Sequence, residues 1–181
     1  SNNIYGGADG DKITVSGGSK NKIYGDDANG KVSGKDQLTV SGGSSNYIYG
    51  GAGADTVTVA KTMAGTKNYI YGDAGNDTMN VNGGSSNLIY GGAGADTITI
   101  AAGTKNKIYG DVGSDKITIN GGSSNYIYGG ADGDTIAIAK TMKGTNNYIY
   151  GDAGVDTIKV LGGSSNNIYG GADGDKITVS G

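Results

Sequence analysis

The sequence predicts an all-β fold, a parallel two-sheet β-solenoid of about nine 19-residue coils, on three observations. A short unit recurs in phase along the chain, each unit holds two β-type runs, and Gly-rich turns separate the runs. The recurrence is plainest in the tripeptide Ile-Tyr-Gly, which begins at positions 4, 23, 48, 70, 89, 108, 127, 149 and 168. Successive starts lie 19, 25, 22, 19, 19, 19, 22 and 19 residues apart, so a 19-residue coil takes inserts at three places.

The first run of a coil reads Asn-x-Ile-Tyr, and the second x-Ile-Thr-Val, as in Thr97-Ile98-Thr99-Ile100. Side chains alternate across a strand, which places one Ile of the first run and two aliphatics of the second on the inner face. The inner columns start Ile4, Ile23, Ile48; Ile13, Leu38, Val57, Met79; and Val15, Val40, Val59, Val81. At about 4.8 Å per coil the stack is roughly 43 Å long. Three aliphatics per coil make a thin core for a chain with 38 Gly, whose backbone entropy is costly to fix. Something besides apolar burial is expected to hold the coils.

A longer period overlies the first. Residues 1–17 are identical to residues 165–181, an offset of 164, and neither end has an atypical capping coil. Residues 1–181 are therefore expected to be a single solenoid segment, an excerpt of an array with a 164-residue super-repeat.

The chain has no Pro, Cys, His, Trp, Phe, Arg or Glu; its charges are 14 Lys and 17 Asp, a net of −3. Without His, Cys, Arg or Glu, and with each Asp one of a series, no unique acid, base or nucleophile stands out, and no enzyme is expected. The net negative charge without Arg argues against nucleic acid as a partner. No apolar run suggests membrane insertion or a signal peptide.

All the acids fall in the turns that follow Ile-Tyr. The sixth turn position is Asp in every coil: Asp11, Asp36, Asp55, Asp77, Asp96, Asp115, Asp134, Asp156 and Asp175. Asp26, Asp73, Asp111 and Asp152 replace the second turn Gly in alternate coils, Asp9, Asp132 and Asp173 occupy the fourth turn position, and Asp27 begins an insert. A row of stacked carboxylates repels itself. A hard divalent cation reverses the sign of that term, and calcium suits it, taking six to eight oxygens from carboxylates and the carbonyls that Gly-rich turns expose. The sixth-position Asp are thus candidate calcium ligands, and Asp9, Asp26, Asp73, Asp111, Asp132, Asp152 and Asp173 can contribute. Alternatively, each Asp merely closes an Asx-type turn.

Residues 50–58 and 91–99, GGAGADTVT and GGAGADTIT, resemble the calcium-binding nonapeptide GGxGxDxUx of the repeats-in-toxin (RTX) family at every position. GDAGNDTMN (72–80), GDVGSDKIT (110–118) and GDAGVDTIK (151–159) differ by Asp at the second position. GGADGDKIT (6–14 and 170–178) and GGADGDTIA (129–137) differ at the fourth. The resemblance implies a parallel β-roll in which turn carbonyls and the sixth-position Asp of neighbouring coils ligate calcium. It also implies secretion as a largely unfolded chain that folds in external calcium, hence an extracellular or bacterial cell-surface location. The second coil departs from the pattern, since GDDANGKVSGKD inserts six residues before Asp36.

The opposite turns depart further. They are typically GGSSN, one residue shorter, with Asn2, Asn21, Asn46, Asn68, Asn87, Asn106, Asn125, Asn147 and Asn166 where Asp would sit. A neutral amide column can hydrogen-bond along the stack without a cation. The expectation is one calcium row and one asparagine ladder.

Alternation points Tyr5, Tyr24, Tyr49, Tyr71, Tyr90, Tyr109, Tyr128, Tyr150 and Tyr169 outward, with Tyr47, Tyr69, Tyr126 and Tyr148 beside them. They read either as a stacking ladder or as an exposed adhesive face for a glycan, a cell or another filament. The other face shows Thr arrays that raise ice binding, but Lys12, Lys116, Lys159, Lys176, Gln37, Asn80 and Ala137 interrupt them, and β-propensity explains Thr more simply. The inserts at 60–66 and 139–145 read as tolerated loop growth or as bumps that register neighbouring molecules. The sequence reading is a calcium-stabilised structural module of a secreted or surface protein, a rigid extender or filament component inclined to self-association, with the adhesive module as the alternative.

Overall fold

In a computed structural model of the chain, residues 1–27, 32–60, 66–140 and 145–180 are described. They form a parallel two-sheet β-solenoid, with no helix among them. One sheet stacks the Tyr-bearing strands, Asn3–Tyr5, Lys22–Tyr24, Tyr47–Gly53, Tyr69–Ala74, Leu88–Ala93, Lys107–Val112, Tyr126–Ala131, Tyr148–Asp152 and Asn167–Gly171. The other stacks Lys12–Val15, Gln37–Val40, Thr56–Val59, Thr78–Val81, Thr97–Ile100, Lys116–Ile119, Thr135–Ile138, Thr157–Val160 and Lys176–Val179.

Every pairing is parallel and in phase with the sequence repeat. Ile48 lies beside Ile70, Ile70 beside Ile89 and Ile89 beside Ile108, and on the second sheet Met79 lies between Val57 and Ile98. Inward-facing aliphatics such as Ile23, Leu38, Ile89, Ile98 and Ile119 are fully buried in one continuous core. At the ends the columns lose cover, and Ile177 and Val179 are exposed.

The strands of the Tyr sheet outrun their sequence signal. Reading GGxGxD as turn places the strand end at Tyr, yet Leu88–Ala93 and Lys107–Val112 continue through the glycines, pairing Gly92 with Asp111 and Ala93 with Val112. Identical Gly-rich backbones in adjacent coils keep the hydrogen-bond ladder going where propensity alone would end it.

The second-coil insert rejoins the stack through Ser33–Gly34, which pairs with Ala52 and Gly53. The bumps expected of the other two inserts fall on residues 61–65 and 141–144, outside the described residues. Both inserts return in register, through bridges Thr66 to Ser85 and Thr145 to Ser164.

Candidate functional site

The two edges of the solenoid carry the same backbone device with different side chains. On the Asn edge, the backbone N–H of each Asn donates to Oδ1 of the Asn one coil further on: Asn21 to Asn46, Asn68 to Asn87 and Asn106 to Asn125, at 3.0–3.1 Å. The side-chain Nδ2 donates to the same acceptor, at 3.0 Å from Asn21 to Asn46 and 2.9 Å from Asn147 to Asn166. Nδ2 also reaches a carbonyl of its own turn in several coils, as Asn46 does with Gly42 at 3.3 Å. From Asn21 to Asn147 the side chains are buried.

On the Asp edge the N–H of each sixth-position Asp donates to Oδ1 of the next: Asp11 to Asp36 at 2.7 Å, Asp36 to Asp55 and Asp55 to Asp77 at 2.8 Å, Asp77 to Asp96 and Asp96 to Asp115 at 2.7 Å. The series runs on through Asp134 and Asp156 to Asp175, where the bond is 3.0 Å. Asp36 sits in phase despite its insert. A carboxylate has no N–H to give, so the atom that corresponds to Nδ2 is left over. Oδ2 of Asp11, Asp36, Asp55, Asp77, Asp96, Asp115, Asp134 and Asp156 is buried without a hydrogen-bond partner. An unmatched buried oxygen costs about 1–3 kcal/mol, more when charged.

A column of glycines, not singled out by the sequence reading, makes this burial possible. The first turn Gly of each coil faces inward beneath its Asp. A Cβ on Gly50 would lie 2.8 Å from Asp55 Oδ2 and 2.6 Å from the Gly72 carbonyl oxygen, and Gly72, Gly91, Gly110 and Gly129 are hemmed in alike. The only signal for them in the sequence is that no coil puts anything but Gly there. Each Oδ2 therefore shares a small space with a carbonyl oxygen of the next coil.

Crowded anionic oxygens resist ionisation. Burial pushes Asp77, Asp115 and Asp134 up to about 7 and Asp55 and Asp96 up to about 6, from an ordinary 3.8; the preceding N–H opposes this and neighbouring carboxylates add to it. Asp36 and Asp156 move the same way for the same reasons. Either a proton or a cation must answer this charge. Among the described residues no three carboxylates converge on one point. A cation in the column would thus rest on an Asp oxygen and turn carbonyls, an all-oxygen shell that suits calcium and offers nothing to a softer metal.

The remaining acids lie outside this column. Asp9, Asp73, Asp111, Asp132, Asp152 and Asp173 adopt positive φ of 68–76° on the outer side of the turns, and only Asp26 among the second-position acids is buried.

The RTX calcium-binding nonapeptide repeat matches four times, over residues 33–59, 67–86, 83–104 and 144–164. The chain carries RTX repeats. Those matches contain Asp36, Asp55, Asp77, Asp96 and Asp156, and the same β-roll register runs through the coils between them. RTX β-rolls are a structural fold and are not typically catalytic. No curated protein matches the chain, and no solved structure does.

On the Tyr sheet the nine outward rings form one uninterrupted stack, with centroids 4.8–5.2 Å apart and planes within 12°. Tyr47 stacks on Tyr69, and Tyr126 on Tyr148, at 4.5 and 4.7 Å. The expectation of an exposed aromatic face is narrowed accordingly. Interior rings such as Tyr49, Tyr90 and Tyr128 are half-buried because neighbours cover their faces, and only the end rings Tyr5 and Tyr169 are exposed.

Proposed function

We propose that the chain is a calcium-stabilised β-roll module that serves as a rigid structural element of a secreted or cell-surface protein. The observation that carries this reading is the row of buried, partnerless Oδ2 atoms from Asp11 to Asp156, set against an otherwise equivalent Asn edge whose amides are satisfied. The chemical difference between the edges is one missing donor per coil, and calcium supplies the positive charge. RTX repeats are typical of secreted bacterial proteins, which supports an extracellular setting. No helix among the described residues is long and apolar enough to cross a membrane.

Stiffness rather than recognition is the use that the Tyr stack favours. A sugar packs its apolar side on a ring face, and here those faces are covered by neighbouring rings. Edge-on rings suit lateral contact between like filaments better than glycan capture. Self-association along this face is the partner reading that follows, ahead of adhesion to a cell surface.

Isothermal titration of the chelator-treated chain with calcium tests the function. Several ions per chain are expected, with fewer in Asp77→Asn/Asp96→Asn/Asp115→Asn. Equal uptake by that triple variant and the parent chain would remove the column from the calcium sites. A glycan array probed with the same chain is expected to stay blank; binding lost in Tyr→Ser variants would reverse the order of scaffold and adhesin.

A further inference from the structure

On the Asn edge, the residue just before each buried Asn takes a positive φ, and from the second coil to the seventh it alternates: Lys20, Ser45, Lys67, Ser86, Lys105, Ser124. Asn146 takes the Lys place in the eighth coil. The Lys67 N–H donates to the Ser85 carbonyl and the Ser86 N–H to the Thr104 carbonyl, so the place recurs once per coil. That backbone favours Gly, Asn and Asp, and the turn itself gives no reason for lysine. Lys20, Lys67 and Lys105 are exposed, and no turn of this edge contains an acid. Between Lys67 and Lys105 the edge dips over Ser86 into a cavity of about 350 Å³, which Lys107 also lines.

The Asp edge carries the opposite charge at the same spacing. Asp73 lies between Gly51 and Gly92 of the neighbouring strands, Asp111 between Gly92 and Gly130, and Asp152 between Gly130 and Gly171. All three have φ of 74–76°; Asp73 and Asp152 are exposed and Asp111 partly so. Asp26, in the second coil, is buried and offers no surface charge. Asp9, Asp132 and Asp173 add exposed carboxylates at the fourth turn position of odd coils. Lysine enters the turns of this edge only in the second-coil insert, as Lys31 and Lys35. Both rows therefore stand in even coils, about 10 Å apart along the stack, on opposite edges of one molecule.

We infer that copies of this chain pair side by side, the Lys row of one against the Asp row of the next, in registers that differ by an even number of coils. The inference rests on the reading of the chain as a structural element and gives that element a partner, a second copy, through the edges and not the Tyr face. One exposed ion pair contributes little. A row of them at matched spacing sets the register, because a slip of one coil puts each Lys opposite a Gly and each Asp opposite a Ser. The two rows lie on opposite edges, so the contact is heterologous: a copy paired through one edge still offers the other, and association runs on into a flat array. A linear polyanion would also suit the Lys row, but it leaves the matching Asp row without a use.

Sedimentation velocity of the full chain, with calcium at neutral pH, tests the pairing. The parent is expected to sediment as dimers and larger species in low salt and as monomer in high salt, where surface charges are screened. Lys20→Glu/Lys67→Glu/Lys105→Glu and Asp73→Lys/Asp111→Lys/Asp152→Lys each reverse one row. Each is expected to stay monomeric alone, and the two to associate when mixed. Lys20→Ser/Lys67→Ser/Lys105→Ser, which installs the residue of the odd coils, is the second variant should charge reversal prevent folding, and it too is expected to be monomeric. Lys67→Ser/Ser86→Lys keeps the charge but breaks the spacing, and is expected to associate several-fold more weakly than the parent. Calcium uptake of the Lys-row variants, read by titration calorimetry, is expected to match the parent, so failure of the calcium reading and failure of the pairing are distinguished. A parent that stays monomeric in low salt overturns the pairing, whether or not it binds dextran sulfate as a polyanion probe. Association that survives in both reversed variants places the contact on another face and overturns it as well, as does a mixture that fails to associate. Equal association of the parent and the spacing variant overturns the register.

Discussion

The two edges turn on one atom. Asn106 and Asp115 occupy matching places on opposite edges, each accepting an N–H from the coil before through Oδ1, at 3.0 and 2.7 Å. Asn106 has an Nδ2 that donates onward to Asn125 at 3.1 Å, whereas Asp115 has a buried oxygen with nothing to meet. Asp115→Asn should therefore raise the melting temperature in chelator, by about 1–2 kcal/mol of stability, while lowering calcium uptake. Asn106→Asp should do the reverse in chelator, destabilising the chain by a similar or larger amount. Thermal melts of both variants with and without calcium check the pair. Gly91→Ala tests the inward glycine column: its Cβ would press on Asp96 Oδ2 and the Gly110 carbonyl, and a loss of about 1–3 kcal/mol is expected in denaturant titration. A neutral result there would mean that the Asp edge is looser than its contacts imply.

At the scale of an edge, the Asp column gives the stability a pH dependence. Folded-state values near 6 and 7 lie above the ordinary 3.8, so between about pH 4 and 7 the folded chain holds protons that the unfolded chain has released. The resulting stabilisation is fully present below about pH 4 and is lost as pH rises through 6 and 7. Metal-free chain should thus melt lower at neutral pH than in mild acid, opposite to a protein held by salt-bridged carboxylates. On the proposed function calcium would take over the role of the proton and should flatten the profile. Melts in chelator across that range check the sign, and a rise in stability from acid to neutral pH would contradict it. Much of this edge was legible in the sequence, because Asp at the sixth turn position never varies and Asn answers it across the coil. Three features were not legible. Alternation cannot tell an inward Gly from a turn Gly, so the column through Gly50, Gly72 and Gly91 went unmarked. Propensity ends a strand at Tyr, whereas in-phase backbones extend it to Ala93 and Val112. The sequence also points Tyr outward without revealing that each ring hides its neighbour's face, which is a property of the 4.8–5.2 Å stacking and not of any one coil.

The whole molecule is a one-dimensional stack, in which each coil touches only the coils on either side. Among the described residues the packing runs between neighbouring coils, so stability is approximately a sum of coil and interface terms, each fed by three aliphatics, a Tyr step, an Asn step and an Asp step. The aliphatic, Tyr and Asn terms hold without metal. A break at any one step, such as Ile98→Ala in the core, costs about 2–5 kcal/mol and divides the stack into two shorter ones. Charge is the term that depends on surroundings, and an array of coils multiplies it by the number of Asp steps. On the proposed function, that multiplication would turn a small effect per coil into a switch for the entire rod: a chain whose carboxylates repel when calcium is scarce and whose coils lock when it is plentiful. The most direct measurement of this is the strand circular-dichroism signal of the parent chain at neutral pH, followed through a thermal melt in excess chelator and again in excess calcium. The account predicts a clearly higher and steeper transition with calcium; superimposable melts would show that the buried carboxylates need no cation and act as turn-closing Asp alone.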